Sequence, residues 1–201
     1  MHIIGAGGHA KVIIDILLTS NEEIKGVWDE NSTIKAVLNQ SVVGNFAALK
    51  AGEFEPVIIA IGNNLIRKRI AEELNIKFGI AIHPKSAISP SSWLGDGTVV
   101  MANASINADV QIGKHVIINT NASIDHDCEI GDFVHLSPQV GLGGNVHVGE
   151  GTHIGIGASV KQGIKIGKWA TIGAGAVVIR DIPDYAVAVG NPTRVIKYNA
   201  H

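Results

Sequence analysis

Asp125-His126-Asp127 places an imidazole between two carboxylates. A neighbouring carboxylate can orient a histidine ring and stabilise its imidazolium form, as a general base requires when it takes a proton from an attacking nucleophile. The residues alone leave two readings open, a general base and a solvated turn. A second constellation lies near the start of the chain. Gly5-x-Gly7-x-x-Ala10 follows the apolar run His2-Ile3-Ile4 and precedes a helical pattern through Val12, Ile13, Ile16 and Leu17. Glycines let a backbone approach a diphosphate, whose charge then meets the N-terminus of the following helix. His9 stands where it could donate a hydrogen bond to that group. Asp29 follows at about the 20-residue distance at which an acidic residue holds ribose hydroxyls. The region is short for two mononucleotide halves, which argues against a full NAD site; a single nucleotide-linked ligand and a bare tight turn remain.

These groups need elements to hold them. Every sixth residue from Ile82 to Val178 is Ile, Leu or Val, without an insertion. The fifth position of each hexad is small or aliphatic, as in Val110, Val116, Ala122, Cys128 and Val134. A period of six fits neither a helix nor a plain strand alternation. It fits a short strand and a turn, repeated, with one large apolar residue pointing inward each time: a three-faced prism, the parallel β-helix. Three hexads make one coil, so residues 18 apart stack. His135 therefore stacks on His153, and Gly144 lies one coil above His126. No carboxylate or thiolate completes a tetrahedral set around the histidine pair, so no metal is expected. Cys128 falls in an inward slot and reads as core.

Residues 1–80 lack the hexad period. Strands at His2–Ile4, Ile24–Trp28 and Pro56–Ile61 alternate with helical segments, the last through Ile66, Ile70, Ala71 and Leu74 with Asn63 or Asn64 as N-cap. This predicts a small Rossmann-like parallel α/β domain. The apolar run Pro56–Ile61 is expected to be central in its sheet. The carboxyl ends of its strands, where ligands bind, are Gly5–His9, Asp29-Glu30 and Gly62-Asn63. The division is thus 1–80, an α/β domain; 81–183, the β-helix; and 184–201, a tail.

Composition narrows the function. Net charge is −2, which gives no basic field for nucleic acid or an anionic membrane. Aromatics are 4% against 46% hydrophobic residues, a balance suited to a stacked aliphatic core. One cysteine excludes an intrachain disulfide. The N-terminus lacks a signal-peptide pattern, and no run approaches the roughly 20 apolar residues of a membrane span. A cytoplasmic protein without stable membrane insertion is expected.

The hexads from about 82 to 182 and Gly190-Asn191-Pro192 resemble the left-handed β-helix hexapeptide-repeat acyltransferases. GAGGHAKVIID (5–15), AIGNNLIRKRI (60–70), IHPKSAISPS (82–91) and INTNASIDHDCEIGDFVHLSPQ (118–139) carry a closer likeness. It is to the sialic-acid O-acetyltransferase-like and bacillosamine-pathway N-acetyltransferases. The resemblance implies acetyl transfer from acetyl-CoA to a UDP-linked 4-amino-4,6-dideoxy sugar, by a homotrimer with acetyl-CoA between prisms. O-acetylation of a sialic-acid-type sugar and a GDP-linked amino sugar are the alternatives. It also implies site roles. His126 is the base and Asp127 raises its basicity, with Asp125 as a competitor. His135 lies near the thioester, the Gly144 N–H binds the oxyanion, and Ile156 and Ala174 join the acetyl-CoA contacts. Asn119 stands beside the base. Gly8, His9, Asp29, Glu30, Gly62 and Asn63 serve the nucleotide sugar.

Overall fold

The computed structural model describes residues 1–199 except Glu53 and Asn75. The N-terminal domain runs β1 (His2–Ile4), α1 (Gly8–Thr19), β2 (Gly26–Trp28), β3 (Ala36–Val37), β4 (Gln40–Gly44), α2 (Phe46–Ala51), β5 (Val57–Ile59) and α3 (Asn64–Glu73). The sheet order is β3-β4-β2-β1-β5, parallel except for the β3–β4 hairpin. The hairpin and α2 carry no periodic signal and are additions to the sequence reading. β5 is at the edge of the sheet rather than its centre. It is nevertheless buried along its whole length, because packing covers both faces: Ile58 joins the core of α1, and Val57 and Ile59 join that of Leu49 and Leu74. An apolar run reports burial, and burial does not require a strand neighbour on each side.

Seventeen two-residue strands follow, from β6 (Ala81–Ile82) to β22 (Val177–Val178), one per hexad. Partners in register are 18 residues apart, as in Ser105↔Ser123 and His135↔His153. The strands form three parallel faces, starting at Ala81, Ala87 and Trp93. Every sixth-residue slot from Val100 to Val178 is at most 4% exposed, and the fifth slots from Val110 to Val146 at most 1%. Truncating one of these large aliphatics, such as Leu136→Ala, costs about 2–5 kcal/mol. The first coil departs from the pattern: Ile82 is 40% exposed, and Ile88 and Leu94 are only partly buried, because no coil lies beneath them. The fourth hexad position turns the chain with positive φ; Asn103, Asp109, Asn121, Asp127 and Asn145 fill five of these turns, five more are glycines, and His115, Phe133, Gln139 and Trp169 take the same conformation. Asn and Asp tolerate this left-handed region better than other side chains.

The tail is part of the prism. β23 (Ala186–Val189) pairs with the first face, and β24 (Arg194–Tyr198) folds back antiparallel on it. The two domains share a core. Ala81, Val99, Met101 and Ile117, outside the prism near its base, pack with Ile13, Ile16 and Leu17 of α1. α3 climbs the corner between the third and first faces. Arg67 donates to the carbonyls of His115 and Phe133, and Asn64 Nδ2 to that of Gly151. These three carbonyls lie one coil apart. Helical spacing singles out Ile66 as a core residue of α3, yet Ile66 is 45% exposed and Arg67 is the residue buried. The reason is that α3 turns toward backbone carbonyls, which need donors.

Candidate active site

His126 occupies the turn between Ser123–Ile124 and Glu129–Ile130, at the corner of the second and third faces. Asp127, the next residue, takes the left-handed position at φ 59°. That geometry folds its carboxylate back, so that Oδ2 lies 2.7 Å from His126 Nδ1. With Nδ1–H donating to the carboxylate, the proton-accepting lone pair is on Nε2, on the side of the ring toward Gly144. The bond to Asp127 raises the His126 pKa, and the charge of Asp125 adds to it. Asp125 itself is otherwise engaged: its Oδ1 accepts from His126 N at 2.9 Å and from Asn107 Nδ2 at 2.8 Å, and the bond from Asn107 leads in holding its carboxyl below the ordinary range. Of the two flanking carboxylates, Asp127 is the one on the ring.

One coil up, Gly144 lies against the ring. A Cβ there would fall 2.7 Å from His126 Cε1 and 2.8 Å from Nε2, so any larger residue would push the ring out of this position. Its carbonyl accepts from Gly163 N. Its N–H donates to nothing among the described residues. The cause is in the sequence: Asp125 caps the N–H of His126, but the equivalent position before Gly144 is Gly143, which has no side chain. The corner thus presents a basic nitrogen and an unused N–H side by side, in a groove also lined by Asn145 and Gln162. Cys128 stays out of it. Its thiol is buried, bonded to Gly143 O at 3.3 Å and accepting from Val146 N, and burial pushes its pKa up.

The first face holds a second group. His135 and His153 stack with ring centroids 4.9 Å apart. His135 Nε2 is 3.2 Å from Asn119 Nδ2, and His153 Nε2 is 2.8 Å from Ser137 Oγ. Burial holds His135 down to about 3 and, with the charge of Arg67, His9 to about 4. Both are neutral rings at ordinary pH. Asn119 contacts His135, so in a single chain it is beside that ring and not beside His126. His135 likewise faces the α/β domain, with Gly62 and His9 nearby, away from Gly144. Ile156, 51% exposed, and Ala174, one coil above it, form the corner between the first and second faces. They stand across the second face from His126.

The strand ends of the α/β domain form the third group. Gly5 needs its φ of +103°, and a Cβ there would press on Ala60 O at 3.0 Å. Gly7 caps α1 without a side chain, and a Cβ on Gly7, Gly8 or Gly62 would meet nothing within 4 Å. The first turn of α1 is therefore open, with uncapped N–H groups and the positive end of its dipole. Asp29 is spent on the backbone: Oδ2 accepts from Ala6 N at 2.7 Å and Oδ1 from Asn31 N at 2.8 Å. Glu30 Oε1 accepts from Phe46 N, and Asn63 caps α3 through Ile66 N. Asp29 thus shapes the glycine turn, with its remaining lone pairs left for a ligand. Sequence reasoning missed Arg67, Asn64 and Ser137. Nothing in the Arg67-Lys68-Arg69 run marks its first member, and Ser137 is one polar residue among many. Among the described residues no group of three or more His, Cys, Asp or Glu is arranged to hold a metal.

Comparison with known proteins agrees with both halves. Residues 1–74 match the PglD N-terminal domain, and residues 91–180 match the bacterial transferase hexapeptide repeats. PerB from Caulobacter crescentus, solved with CoA and GDP-perosamine, is 40% identical, with a TM-score of 0.92 over 98% of this chain and 96% of that one. The acetyltransferase domain of PglB from Neisseria gonorrhoeae, solved with acetyl coenzyme A, is 38% identical, with a TM-score of 0.91 over 97% and 98%. A UDP-N-acetylbacillosamine N-acetyltransferase of Bacillus subtilis is 43% identical over 108 residues, 50% of each chain. The chain matches half or less of the length of its curated relatives. The α/β domain, the hexad prism and the near-complete overlap with solved relatives lead to one assignment: the chain belongs to the hexapeptide-repeat sugar acetyltransferases, a family of acetyl-CoA-dependent acyltransferases, in the group with a PglD-type N-terminal domain.

Proposed function

We propose that the protein transfers acetyl from acetyl-CoA to the 4-amino group of a nucleotide-linked 4-amino-4,6-dideoxy sugar, for glycan biosynthesis in the cytoplasm. The observation that carries this is the 2.7 Å His126–Asp127 bond next to the unused Gly144 N–H. As the amine attacks the thioester carbonyl, His126 Nε2 takes its proton; such a base contributes about 10²–10⁴-fold. The Gly144 N–H receives the oxyanion, a contribution of about 3–4 kcal/mol in comparable sites. Collapse of the tetrahedral intermediate then breaks the C–S bond, and the departing CoA sulfur takes the proton from the His126 imidazolium to leave as the thiol. Cys128, buried and hydrogen-bonded, takes no acyl group. Gly8, His9, Gly62 and Asn63, with Asp29 and Glu30 behind them, hold the nucleotide, and His135 and Asn119 line its path to the prism.

The placement of the groups supports a homotrimer. His126 and Gly144 edge one side of the second face, and exposed Ile156 and Ala174 edge the other. Three prisms in a ring bring one corner of each chain to the opposite corner of its neighbour, so that acetyl-CoA contacts Ile156 and Ala174 of one and reacts at His126 of the next. Closed cyclic symmetry is the usual outcome for homo-oligomers. UDP is the nucleotide of the first reading; the full-length likeness to a GDP-perosamine complex favours GDP as the second. A screen of UDP- and GDP-linked 4-amino sugars with acetyl-CoA, read as thiol release, separates them. Thiol release with a sialic-acid-type sugar and with no amino sugar overturns the N-acetyl reading.

A further inference from the structure

Arg67 is 1% exposed, and no carboxylate pairs with it among the described residues. Its five N–H groups meet five acceptors: the carbonyls of His115, Ile61, Gly62 and Phe133, and Asn64 Oδ1. All five are neutral. The charge is hydrogen-bonded but not neutralised, and buried charges are ordinarily paired. Burial lowers its pKa only to about 9, so it remains a cation.

Two of those carbonyls, Ile61 and Gly62, belong to the turn between β5 and α3. In a trans peptide the N–H points opposite to the C=O. Holding both carbonyls on the guanidinium therefore turns the N–H groups of Gly62 and Asn63 away from it. Neither N–H donates to a partner among the described residues, and Gly62 borders open space. The titratable groups around the guanidinium are His9 from α1 and His115, His135 and His153 from the prism, with Lys114 and Asp96 beyond His115. His9 Nε2 is buried without a partner. Burial first, and the Arg67 charge with it, keeps these rings neutral, so Arg67 is the one cation of the set that faces the turn.

We propose that Arg67 is a positioning residue for the nucleotide subsite: it supplies a fixed positive charge beneath the diphosphate and aims the Gly62 and Asn63 N–H groups at it, without touching the ligand. This rests on the nucleotide-sugar reading above. The test is calorimetric titration of the full chain with UDP, GDP and acetyl-CoA at about pH 8, where the histidines are neutral. Arg67→Gln removes the charge; Arg67→Lys keeps it, with three N–H groups that suffice for the Ile61 and Gly62 carbonyls of the turn but not for all five acceptors. The glutamine variant should bind the nucleotide at least about tenfold more weakly and the lysine variant within about threefold, both with nearly unchanged acetyl-CoA affinity. Equal losses in the two variants would mean that Arg67 only joins the domains, and would overturn the proposal. If the glutamine variant does not fold, a tenfold loss in the lysine variant overturns it alone. A wild-type protein that binds acetyl-CoA but neither nucleotide sinks the nucleotide reading itself, a distinct result.

Discussion

Gly8→Val separates the two ends of the molecule. In the free protein the position is open, since a Cβ at Gly8 meets no atom within 4 Å outside its own helix. Gly8 opens α1 with an ordinary helical backbone, and valine is a slightly better helix former than glycine, by a few tenths of a kcal/mol. Stability should therefore hold or rise a little. The bound state differs. The N–H groups at the start of α1 are uncapped, and each hydrogen bond from such a group to a charged phosphate contributes about 1.5–3 kcal/mol. A branched side chain that keeps the diphosphate off the backbone removes one or two of them. The KM for the nucleotide sugar should rise by about 10- to 10,000-fold, at 1.4 kcal/mol per tenfold. The KM for acetyl-CoA should stay within about twofold, because Ile156, Ala174 and Gly144 are on the prism. Steady-state kinetics with each substrate varied in turn reads both numbers, and a thermal melt confirms the silent fold. An unchanged KM for the nucleotide sugar would remove the glycine turn from the site. A collapse of acetyl-CoA affinity, in a protein whose oligomeric state by light scattering matches the wild type, would mean that the turn binds CoA instead.

His126→Ala should lower kcat/KM by at least about 10²-fold without loss of thermal stability, since the side chain is 60% exposed; retention of more than half the wild-type turnover removes it from the mechanism. Asp127→Asn takes away the main cause of the raised His126 pKa, so the base stays deprotonated to lower pH. The acidic limb of the kcat/KM profile should then move to lower pH and the plateau fall. Asp125→Asn, off the ring, should shift the limb less; the reverse order would reassign the orienting carboxylate. Gly144→Ala puts a methyl group 2.7 Å from the His126 ring and should depress kcat more than either KM, with the circular dichroism spectrum unchanged; wild-type kcat in that variant contradicts the paired base and N–H.

The prism was legible because one residue in six repeats its chemistry for almost a hundred positions, and burial of those residues leaves little freedom in register. The stacking of His135 on His153 and of Gly144 over His126 followed from the period alone. Asp127 was harder: two carboxylates flank His126 in sequence, and only the left-handed turn at Asp127, with Asn107 holding Asp125, distinguishes them. In the α/β domain, β1, α1 and α3 showed through their glycines and caps, while β3, β4 and α2 have short, weakly periodic sequences whose order comes from packing. Arg67 could not be read, because a buried arginine and a solvated one look alike until the carbonyls facing them are known. Asp29 fits a ribose-binding position and also holds Ala6 N, two roles that a single letter does not separate.

The α3 contacts give the molecule a fixed ruler. Arg67 and Asn64 grip the carbonyls of His115, Phe133 and Gly151, and His126 and Gly144 fall within the same stretch of chain. On the proposed reading, the nucleotide subsite and the base are therefore offset across the prism and not along it. Whole 18-residue modules added above Thr171 would lengthen the protein without altering that separation. An insertion between 115 and 151 would slide grip and base out of step at once. These contacts therefore bind the count of the middle two coils and place no demand on the number of coils above them.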